Sequence, residues 1–359
     1  MLTILDRYIL RKFLQTYFFM LGVIMILAIV FDLSEKMSEF IHNEATARSI
    51  IFDYYFNFIL YYGNLFSSLI IFVSVIWFTA KMAQNSEIIP IWNSGRSFAR
   101  FIRPYMIGAT VLMLITLVMN HLVLPESNKK RLQFEESFYR ESYAVEDYYA
   151  EYPGNQIVYF STFYSDQDLI NNFVVEQWDK ENKHMVAFLK ARTARNEPGT
   201  FNWQLTDYYE RKIGYPNDKL IEGKKKDTVF NFQSDEMTRR NNAAEAMGYN
   251  ELKKNIEREK LKGSANVSAY EIELYQRTSY PFAAYVLTII GVAVSSNKKR
   301  GGVGVSIAIG LGIIFIYIFA MKITTVAALK VGFPAYLAVW VPNILFGLIA
   351  YFLYRFSKK

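Results

Sequence analysis

The residue types that usually carry catalytic or metal chemistry are scarce and scattered in this sequence. The chain of 359 residues has no cysteine and three histidines, which lie far apart at His42, His121 and His184. The sequence contains no H-E-x-x-H zinc motif, no Gly-x-Ser-x-Gly nucleophile motif and no G-x-x-x-x-G-K-[ST] phosphate loop. We therefore expect no catalytic residues, no metal site and no cofactor bound by this chain.

Two lysines are unusual because they lie within or beside long apolar segments. Lys322 falls late in one such segment, and Lys36 lies just outside another. A charged side chain at such a place is costly unless it reaches the headgroup region or a partner. Lys322 can snorkel to the headgroups and Lys36 can pair in solvent with Asp32 or Glu35. The functional alternative for either lysine is contact with an anionic lipid or substrate.

The segment KMAQNSEIIPIWNSGRSFARFIRP, residues 81–104, carries four basic residues and the single acid Glu87. It predicts a short helix near 86–95, with Ser86 as the N-cap, Glu87 in the first turn and Gly95 at the end. Four apolar residues are expected to share one face: Ile88, Ile89, Ile91 and Trp92. Such a helix can anchor to anionic lipid or insert into a soluble partner as a rigid lever, and the sequence leaves both uses open.

These residues must be positioned by membrane-spanning helices, because several segments are long and apolar enough to cross a bilayer. Mean hydropathy is only +0.09, which fits apolar ends around a polar middle. The predicted spans are residues 13–31, 54–79, 105–124, 281–295, 303–327 and 335–353. The fourth is short and bounded by Pro281, so its start can slip back toward Ile272. Small residues at four-residue spacing in the fifth span, Ser306 with Gly310 and Ala308 with Gly312, predict either internal packing or a subunit face.

Basic residues predict the orientation of the spans. They flank one side of the membrane, whereas acids dominate between the first and second spans. Both termini and residues 81–104 are therefore expected in the cytoplasm. The basic residues outside 81–104 that support this orientation are Arg7, Arg11, Lys12, Lys298, Lys299, Arg300, Arg355, Lys358 and Lys359.

The polar middle, residues 125–279, predicts an antiparallel β domain outside the cytoplasmic membrane, with helical segments at both of its ends. Apolar and polar residues alternate in runs bounded by turn residues. The runs are NQIVYFSTFY, NNFVVEQWD, MVAFLKARTAR, TFNWQLTDYYERKI and DTVFNF. We expect Ile157, Tyr159, Val174 and Phe188 to point inward, either into an ordinary core or onto acyl chains. The predicted domains are residues 1–124, 125–279 and 280–359.

Six stretches, in order along the chain, resemble the LptF/LptG permease family of the lipopolysaccharide exporter of Gram-negative bacteria. They are LDRYILRKFLQTYFF, SEIIPIWNSGRS, NHLVLPESNKK, ARTARNEPGTFNWQL with VYFSTFY, ELYQRTSYPF and GFPAYLAVWVPNILF. The resemblance implies an α-helical inner-membrane protein with six transmembrane helices in a 3+3 arrangement and an inserted periplasmic domain like a β-jellyroll. One departure is Pro90, which predicts that the cytoplasmic helix starts one or two residues later than usual or is kinked, and so puts its register in question.

The resemblance also implies partners and roles. A second LptF/LptG-like permease, an LptB-like ABC ATPase dimer that uses ATP, and LptC- and LptA-like periplasmic proteins are expected, with lipopolysaccharide as substrate and no nucleic acid. Lys36 favours an LptG-like over an LptF-like member of the family. Residues implied to couple to the ATPase are Ser86, Glu87, Ile88, Ile89, Trp92 and Gly95. The competing hypothesis is a non-transporting membrane scaffold that binds periplasmic proteins through its β domain.

Overall fold

The computed structural model describes residues 3–138, 144–152, 154–164, 169–179, 181, 184–197, 200–214, 217–232, 243–261, 263–264, 266–298 and 300–357. Three lysines used above for orientation, Lys299, Lys358 and Lys359, lie outside the described residues. The chain forms two compact units. A helical unit contains residues 1–138, 245–249 and 271–359, and a sheet unit contains residues 139–244 and 250–270.

Most of the helices lie in the helical unit, but the helix Tyr249–Leu261 lies almost wholly in the sheet unit. Residues Ile50–Tyr55 and Met119–Val123 form single π-helical turns that continue into the next helix. The α-helices are α1 Ile4–His42, α2 Ala47–Ser49, α3 Phe56–Leu65, α4 Ser67–Gln84, α5 Ile88–Asn93, α6 Phe98–Val118, α7 Leu124–Phe138, α8 Ala243–Ala246, α9 Tyr249–Leu261, α10 Val267–Ser295, α11 Gly302–Val331 and α12 Ala335–Phe356.

Six of these helical stretches are long and apolar enough to cross a membrane, which confirms the predicted number of spans. They are α1, α4, α6 continued into α7, α10, α11 and α12. The second span was predicted too early, because the helix breaks at Phe66 and only α4 is a full crossing. The fourth helix begins well before Pro281, which lies inside α10.

The unit boundaries differ from those predicted at residues 124 and 280. Residues 98–138 run on from α6 through a π-helical turn into α7. Although α7 is polar, it buries Leu132 and Phe134, and Phe134 packs on Phe40 of α1 and on Tyr54. This packing keeps α7 in the helical unit, and composition alone cannot reveal it.

Small residues allow close helix packing at defined points of the bundle. Gly108 of α6 lies against Phe13 of α1, where an added Cβ would meet the ring at 2.6 Å. Gly310 of α11 lies directly against Ile76 of α4, and Ser306 is buried beside it. The pair Ser306 and Gly310 is therefore an internal contact.

The second small-residue pair of α11 lies on a different face. Ala308 and Gly312 are exposed, and an added Cβ at Gly312 would meet nothing within 4 Å. The most apolar windows of α1 and α11 have only 17% and 22% of their residues buried, against 67% in α4. The exposed face of α11 is thus available to lipid or to another helix.

The described residues of the sheet unit form six strands, which confirm the predicted antiparallel β domain. They are β1 Ala144–Tyr152, β2 Gln156–Tyr164, β3 Leu169–Trp178, β4 Met185–Asn196, β5 Asn202–Lys212 and β6 Lys219–Val229. Each strand pairs antiparallel with its neighbour in sequence, in the order β1 to β6. The described strands therefore form a meander, whose connections differ from the Greek-key crossovers of a two-sheet jelly roll.

Two elements of the sheet differ from the prediction. β1, in a stretch rich in Glu and Tyr that suggested a helix, buries Tyr148, Ala150 and Tyr152 on one face. The run DTVFNF is only partly a strand, because β6 covers residues 219–229 and the chain then turns onto the buried face. There Phe232 is fully buried, and its carbonyl oxygen accepts a hydrogen bond from Trp203 Nε1 at 3.1 Å.

A line of irregular residues crosses the sheet and shifts the inside–outside alternation. Asp147, Asn172 and Asp207 have φ values of 51°, 50° and 49° and lie on this line in β1, β3 and β5. Along each of three strands, two residues rather than one separate consecutive buried positions there. The buried pairs are Phe160 and Phe163, Ile170 and Phe173, and Ala191 and Ala194. The pairing register is the same on both sides of this line, so no residue is inserted, and the left-handed residues shift the buried positions without a bulge.

The four residues predicted to point inward lie on the other face of the sheet. Tyr159 pairs with Val174, and Glu176 pairs with both Ile157 and Phe188, so all four share one face. They are partly buried, whereas their neighbours form the core. The inward assignment was wrong by one residue. When two adjacent residues such as Ile157 and Val158 are both apolar, the alternation does not show which of them faces the core. Their role in lipid contact stays a prediction.

Candidate functional site

The predicted cytoplasmic helix is present as α5, Ile88–Asn93, but its start differs from the prediction. Ser86 makes no capping hydrogen bond to α5 and has φ 60°. Its backbone N–H instead bonds to Ala83 O at 3.1 Å, while the N–H of Glu87 bonds to Met82 O at 2.9 Å. These two bonds form a Schellman motif. Ser86 is therefore the left-handed residue that ends α4, not the N-cap of α5.

The end of α5 follows the prediction. Gly95 has φ 75°, and its N–H bonds to Trp92 O at 3.0 Å. Pro90 is the third residue of the helix, where its missing N–H has no helical acceptor. The residue four before it, Ser86, is outside the helix, so the proline ring meets no helical carbonyl. Pro90 is thus accommodated without a kink.

One face of α5 holds it against the membrane-spanning helices. Ile88 and Ile91 are buried, and the Trp92 ring lies 5.1 Å from Phe101 and 6.2 Å from Phe98, both in α6. The prediction that Ile89 shares this face was wrong, because Ile89 is 48% exposed. With Ile89, the neighbouring Pro90 and Asn93 give α5 an outward face.

Polar contacts connect α5 and α6 to the start of α1. Tyr8 donates its hydroxyl to Glu87 Oε2 at 3.3 Å. Arg100 of α6 donates to Asp6 Oδ2 at 2.6 Å, and Asp6 is buried while it completes a capping box with Thr3. Movement of α5 would therefore be transmitted to the first span through these contacts.

Lys36 lies in a polar cluster at the far end of α1. Its Nζ is 3.0 Å from Asp32 Oδ1, contacts the Tyr54 hydroxyl and lies 4.8 Å from the Tyr54 ring centroid. Tyr54 and Tyr55 both donate to Asp32, each at 3.2 Å. The side chains of Lys36 and Asp32 are each only 14% exposed. Asp32 thus neutralises Lys36 within a partly buried cluster.

Lys322 lines a cavity of about 520 Å³ within the helical unit, which we call the chamber. The chamber lies between α3, α4, α6, α7, α10 and α11, with Glu245 of α8 at one side. Leu69, Ile314 and Ile318 contribute apolar wall, and Asn120, Glu273 and Arg277 contribute polar wall. In contrast to Lys36, Lys322 has no hydrogen-bond or ion-pair partner among the described residues.

A hydrogen-bond chain in the chamber wall satisfies a carbonyl that Pro281 leaves free. Proline lacks the N–H that would bond to the carbonyl four residues earlier, which is that of Arg277. Asn120 donates its side-chain amide to this oxygen at 3.0 Å and accepts from Asn64 at 2.6 Å. The asparagines at 64 and 120, in apolar surroundings, were the sequence signal for this network, but their partner could not be read from the sequence.

Charged residues of the chamber region are mostly paired. Arg131 Nη1 lies 2.8 Å from Glu135, and Arg277 Nε lies 2.9 Å from Glu273. Glu245 has a weaker partner, since its Oε2 is 3.6 Å from Arg131 Nη2. Burial, followed by the charge of Glu273, raises the pKa of Glu245 to about 7.

No group of three His, Cys, Asp or Glu side chains suited to a metal ion is found in the part of the chain that the structure describes. The fold is instead that of a multi-pass membrane protein, in which six spanning helices carry one inserted β domain. The chain matches the family model of the lipopolysaccharide export system permease LptF/LptG over residues 7–356. It therefore belongs to the LptF/LptG family. No curated protein sequence matches it.

Membership in this family sets the general role of the chain. It is a permease of lipopolysaccharide export and a multi-pass protein of the inner membrane. The match spans both the membrane helices and the inserted sheet.

Proposed function

We propose that this chain is one of two permease subunits in an ATP-driven exporter that extracts lipopolysaccharide from the outer leaflet of the inner membrane. A separate LptB-like ABC ATPase dimer hydrolyses the ATP, and LptC- and LptA-like proteins receive the lipid. The termini and α5 face the cytoplasm, and the β domain faces the periplasm. The family match and the basic flanks of the spans support this arrangement.

The proposal rests on the observation that α5 has one face packed against the membrane-spanning helices and one exposed face. Ile88, Ile91 and Trp92 hold the helix against α6, while Ile89 and Pro90 remain exposed. An exposed apolar residue on a rigidly held short helix suits insertion into a groove of a soluble partner. A lipid anchor would need basic residues on the same face, whereas this face carries Ile89, Pro90 and Asn93.

Force applied to α5 has a route to the first span. The contacts Tyr8 to Glu87 and Arg100 to Asp6 connect the segment around α5 with the start of α1. The Asp6 side chain is 2% exposed, so this connection is shielded from solvent. Closure of the ATPase dimer would therefore move α1 together with α5 and α6, and α1 with α11 would form the lateral gates.

The two candidate lipid-binding lysines differ in whether an acidic residue already pairs with them. A lipid phosphate at Lys36 must compete with Asp32, whereas Lys322 has no such competitor among the described residues. Lipid is passed on through the β domain. The aromatic core around Phe160, Phe173 and Phe232 is filled, so acyl chains either displace it or use the face of Tyr159 and Val174.

Photocrosslinkers on both faces of the sheet distinguish these two routes. We expect lipopolysaccharide adducts from Ile157, Tyr159, Val174 or Phe188 if the outer face carries the acyl chains, and from Val158 or Phe160 if the core opens. The absence of lipopolysaccharide adducts at all six positions would contradict passage through this domain.

The experiment that tests the coupling role is a comparison of Ile89→Asp with Ile4→Asp. Both isoleucines are exposed and both are predicted to face the cytoplasm, but Ile4 lies in the first turn of α1. We expect Ile89→Asp to lose the co-purifying ATPase, because a buried carboxylate in a groove is costly. Ile4→Asp should retain it. Equal ATPase retention by both variants would contradict docking through α5.

A further inference from the structure

Two opposite charges of the chamber wall are separated rather than in contact with each other. Glu273 and Arg277 pair with each other at 2.9 Å. The two remaining charged residues of the chamber wall are Glu245 and Lys322, which carry opposite charge and do not pair with each other within 4 Å. A cavity with one anionic and one cationic point at separate positions is complementary to a dipolar ligand.

The anionic side of the chamber also has hydrogen-bond acceptors without donors. Oε2 of Glu245 and Oδ1 of Asn128 are shielded from solvent and have no partner within hydrogen-bond distance among the described residues. The Glu245 carboxylate does interact with Tyr61, and Arg131 Nη2 approaches its Oε2 to 3.6 Å. Asn128 is 2% exposed, and its amide nitrogen is already used, since it donates to the Glu245 backbone oxygen at 3.2 Å. A further donor would satisfy these two acceptors, and an ammonium group supplies both donors and the opposite charge.

We propose that the chamber binds an aminoethyl phosphate headgroup of a lipid, with the ammonium on Glu245 and Asn128 and the phosphate at Lys322. The apolar wall formed by residues such as Leu69, Ile314 and Ile318 accommodates the adjoining part of the lipid. A volume of about 520 Å³ is that of an ordinary small-molecule site. The proposal goes beyond lipopolysaccharide export, because a membrane phospholipid suffices as the ligand.

Protonation of Glu245 provides a test that needs no mutation. The groups that influence this carboxylate are Glu273 and Glu135, which disfavour its charge, and Arg131 and Tyr61, which favour it. Its pKa is raised to about 7. Above that pH the carboxylate is charged and attracts the ammonium, whereas below it the attraction is lost. Headgroup preference should therefore fall as the pH is lowered through about 7.

The experiment measures lipid binding to the full chain, purified in detergent with its natural partners, by native mass spectrometry. The probes are short-chain phosphatidylethanolamine and phosphatidylglycerol, which share the phosphate but differ in the ammonium. We expect wild type to prefer phosphatidylethanolamine well above pH 7. Glu245→Gln should reduce that preference about tenfold, the usual effect of losing one charge-assisted hydrogen bond. The matched control is Glu222→Gln, which removes an exposed carboxylate of β6.

Lys322→Gln gives a second, different signature. Because both probes carry a phosphate, this variant should weaken both about three- to fivefold and leave the preference intact. Lys330→Gln, an exposed lysine at the end of the same helix, is its control. Equal binding of the two lipids by wild type would overturn the proposal, as would a pH-independent preference or equal effects of Glu245→Gln and Glu222→Gln. If Glu245→Gln does not fold, the pH dependence of the headgroup preference of wild type tests the proposal in its place.

Aminoethyl phosphate can come from a phospholipid or from a decorated lipopolysaccharide, and competition distinguishes the two sources. Lipopolysaccharide with and without aminoethyl phosphate groups is added to chain loaded with phosphatidylethanolamine. Displacement by the decorated form alone would identify the transported lipid as a source, and no displacement would identify the phospholipid. Equal displacement by both forms would show that the ammonium is not recognised and would overturn the proposal.

Discussion

Asn120→Ala tests how the helix interrupted by Pro281 is stabilised. Asn120 donates to the Arg277 carbonyl at 3.0 Å, and this oxygen has lost its helical donor to the proline. Asn120 also accepts from Asn64 at 2.6 Å. The alanine variant removes both bonds and leaves two polar groups short of a partner in the chamber wall.

The expected loss follows from these two bonds. Hydrogen bonds between membrane helices contribute about 0.6 kcal/mol on average and up to about 1.7. A carbonyl left unsatisfied costs about 1–3 kcal/mol. We therefore expect Asn120→Ala to lower the free energy of unfolding by about 2 kcal/mol.

A double-mutant cycle isolates the free energy contributed by the hydrogen bond from Asn120 to the Arg277 carbonyl. Pro281→Ala restores an N–H that can bond to the Arg277 carbonyl, so in that background the alanine at position 120 should cost only the Asn64 bond. The assay is reversible unfolding of the purified chain in mixed detergent micelles. Equal losses from Asn120→Ala in the wild-type and Pro281→Ala backgrounds would refute the reasoning.

Three further predictions concern other parts of the molecule. Glu87→Arg should abolish ATP-dependent lipid release in reconstituted vesicles, because it replaces the acceptor of the Tyr8 hydroxyl with a cation, yet leave membrane insertion intact; normal release would contradict a coupling role. Gly310→Leu should lower the thermal midpoint sharply because Ile76 leaves no space, whereas Gly312→Leu should fold normally and weaken only association with the second permease, measured by co-purification. Burial tends to raise the pKa of Glu210, but Lys226 and Lys212 together hold it below the ordinary 4.5, so the ion pair stabilises the sheet unit above about pH 4.5 and is lost as pH falls further. Glu210→Gln should flatten this acid dependence in urea unfolding, and an unchanged profile would assign it to other groups.

The spans could be predicted from the sequence because hydropathy is a local property of the chain. All six were found, and their errors have identifiable causes. The helix break at Phe66 was missed because Leu65 and Phe66 are apolar, although Gly63 and Asn64 just before it are residue types that favour helix ends. Pro281 suggested a helix start, but the side chain of Asn120 satisfies the freed carbonyl and the helix continues through it.

The face of each strand was harder to predict than its existence. In QIVYF and NFVVE, apolar residues are adjacent, so period-two alternation does not identify the inner face. The line of left-handed residues through Asp147, Asn172 and Asp207 then reverses the alternation part-way along the strands. Nothing marks these residues in the sequence beyond the tolerance of Asn and Asp for left-handed conformations.

The two candidate sites differ in what local sequence can reveal. α5 and its end at Gly95 were predictable because the signals lie within a few residues of one another. Ser86 was misassigned because a serine between two helices fits either the end of the first or the cap of the second. The chamber could not be found, since Asn64, Asn120, Glu245 and Arg277 meet only in the folded chain.

The most direct test of the account is gentle purification of the tagged full chain from its native membrane, followed by identification of everything that remains bound. We expect an ABC ATPase, a second permease of similar size and lipopolysaccharide, and we expect the ATPase to be missing from the Ile89→Asp preparation. A wild-type chain that is purified without an ATPase, under conditions that keep other transporter complexes intact, would contradict ATP-driven export and favour a scaffold that binds periplasmic proteins.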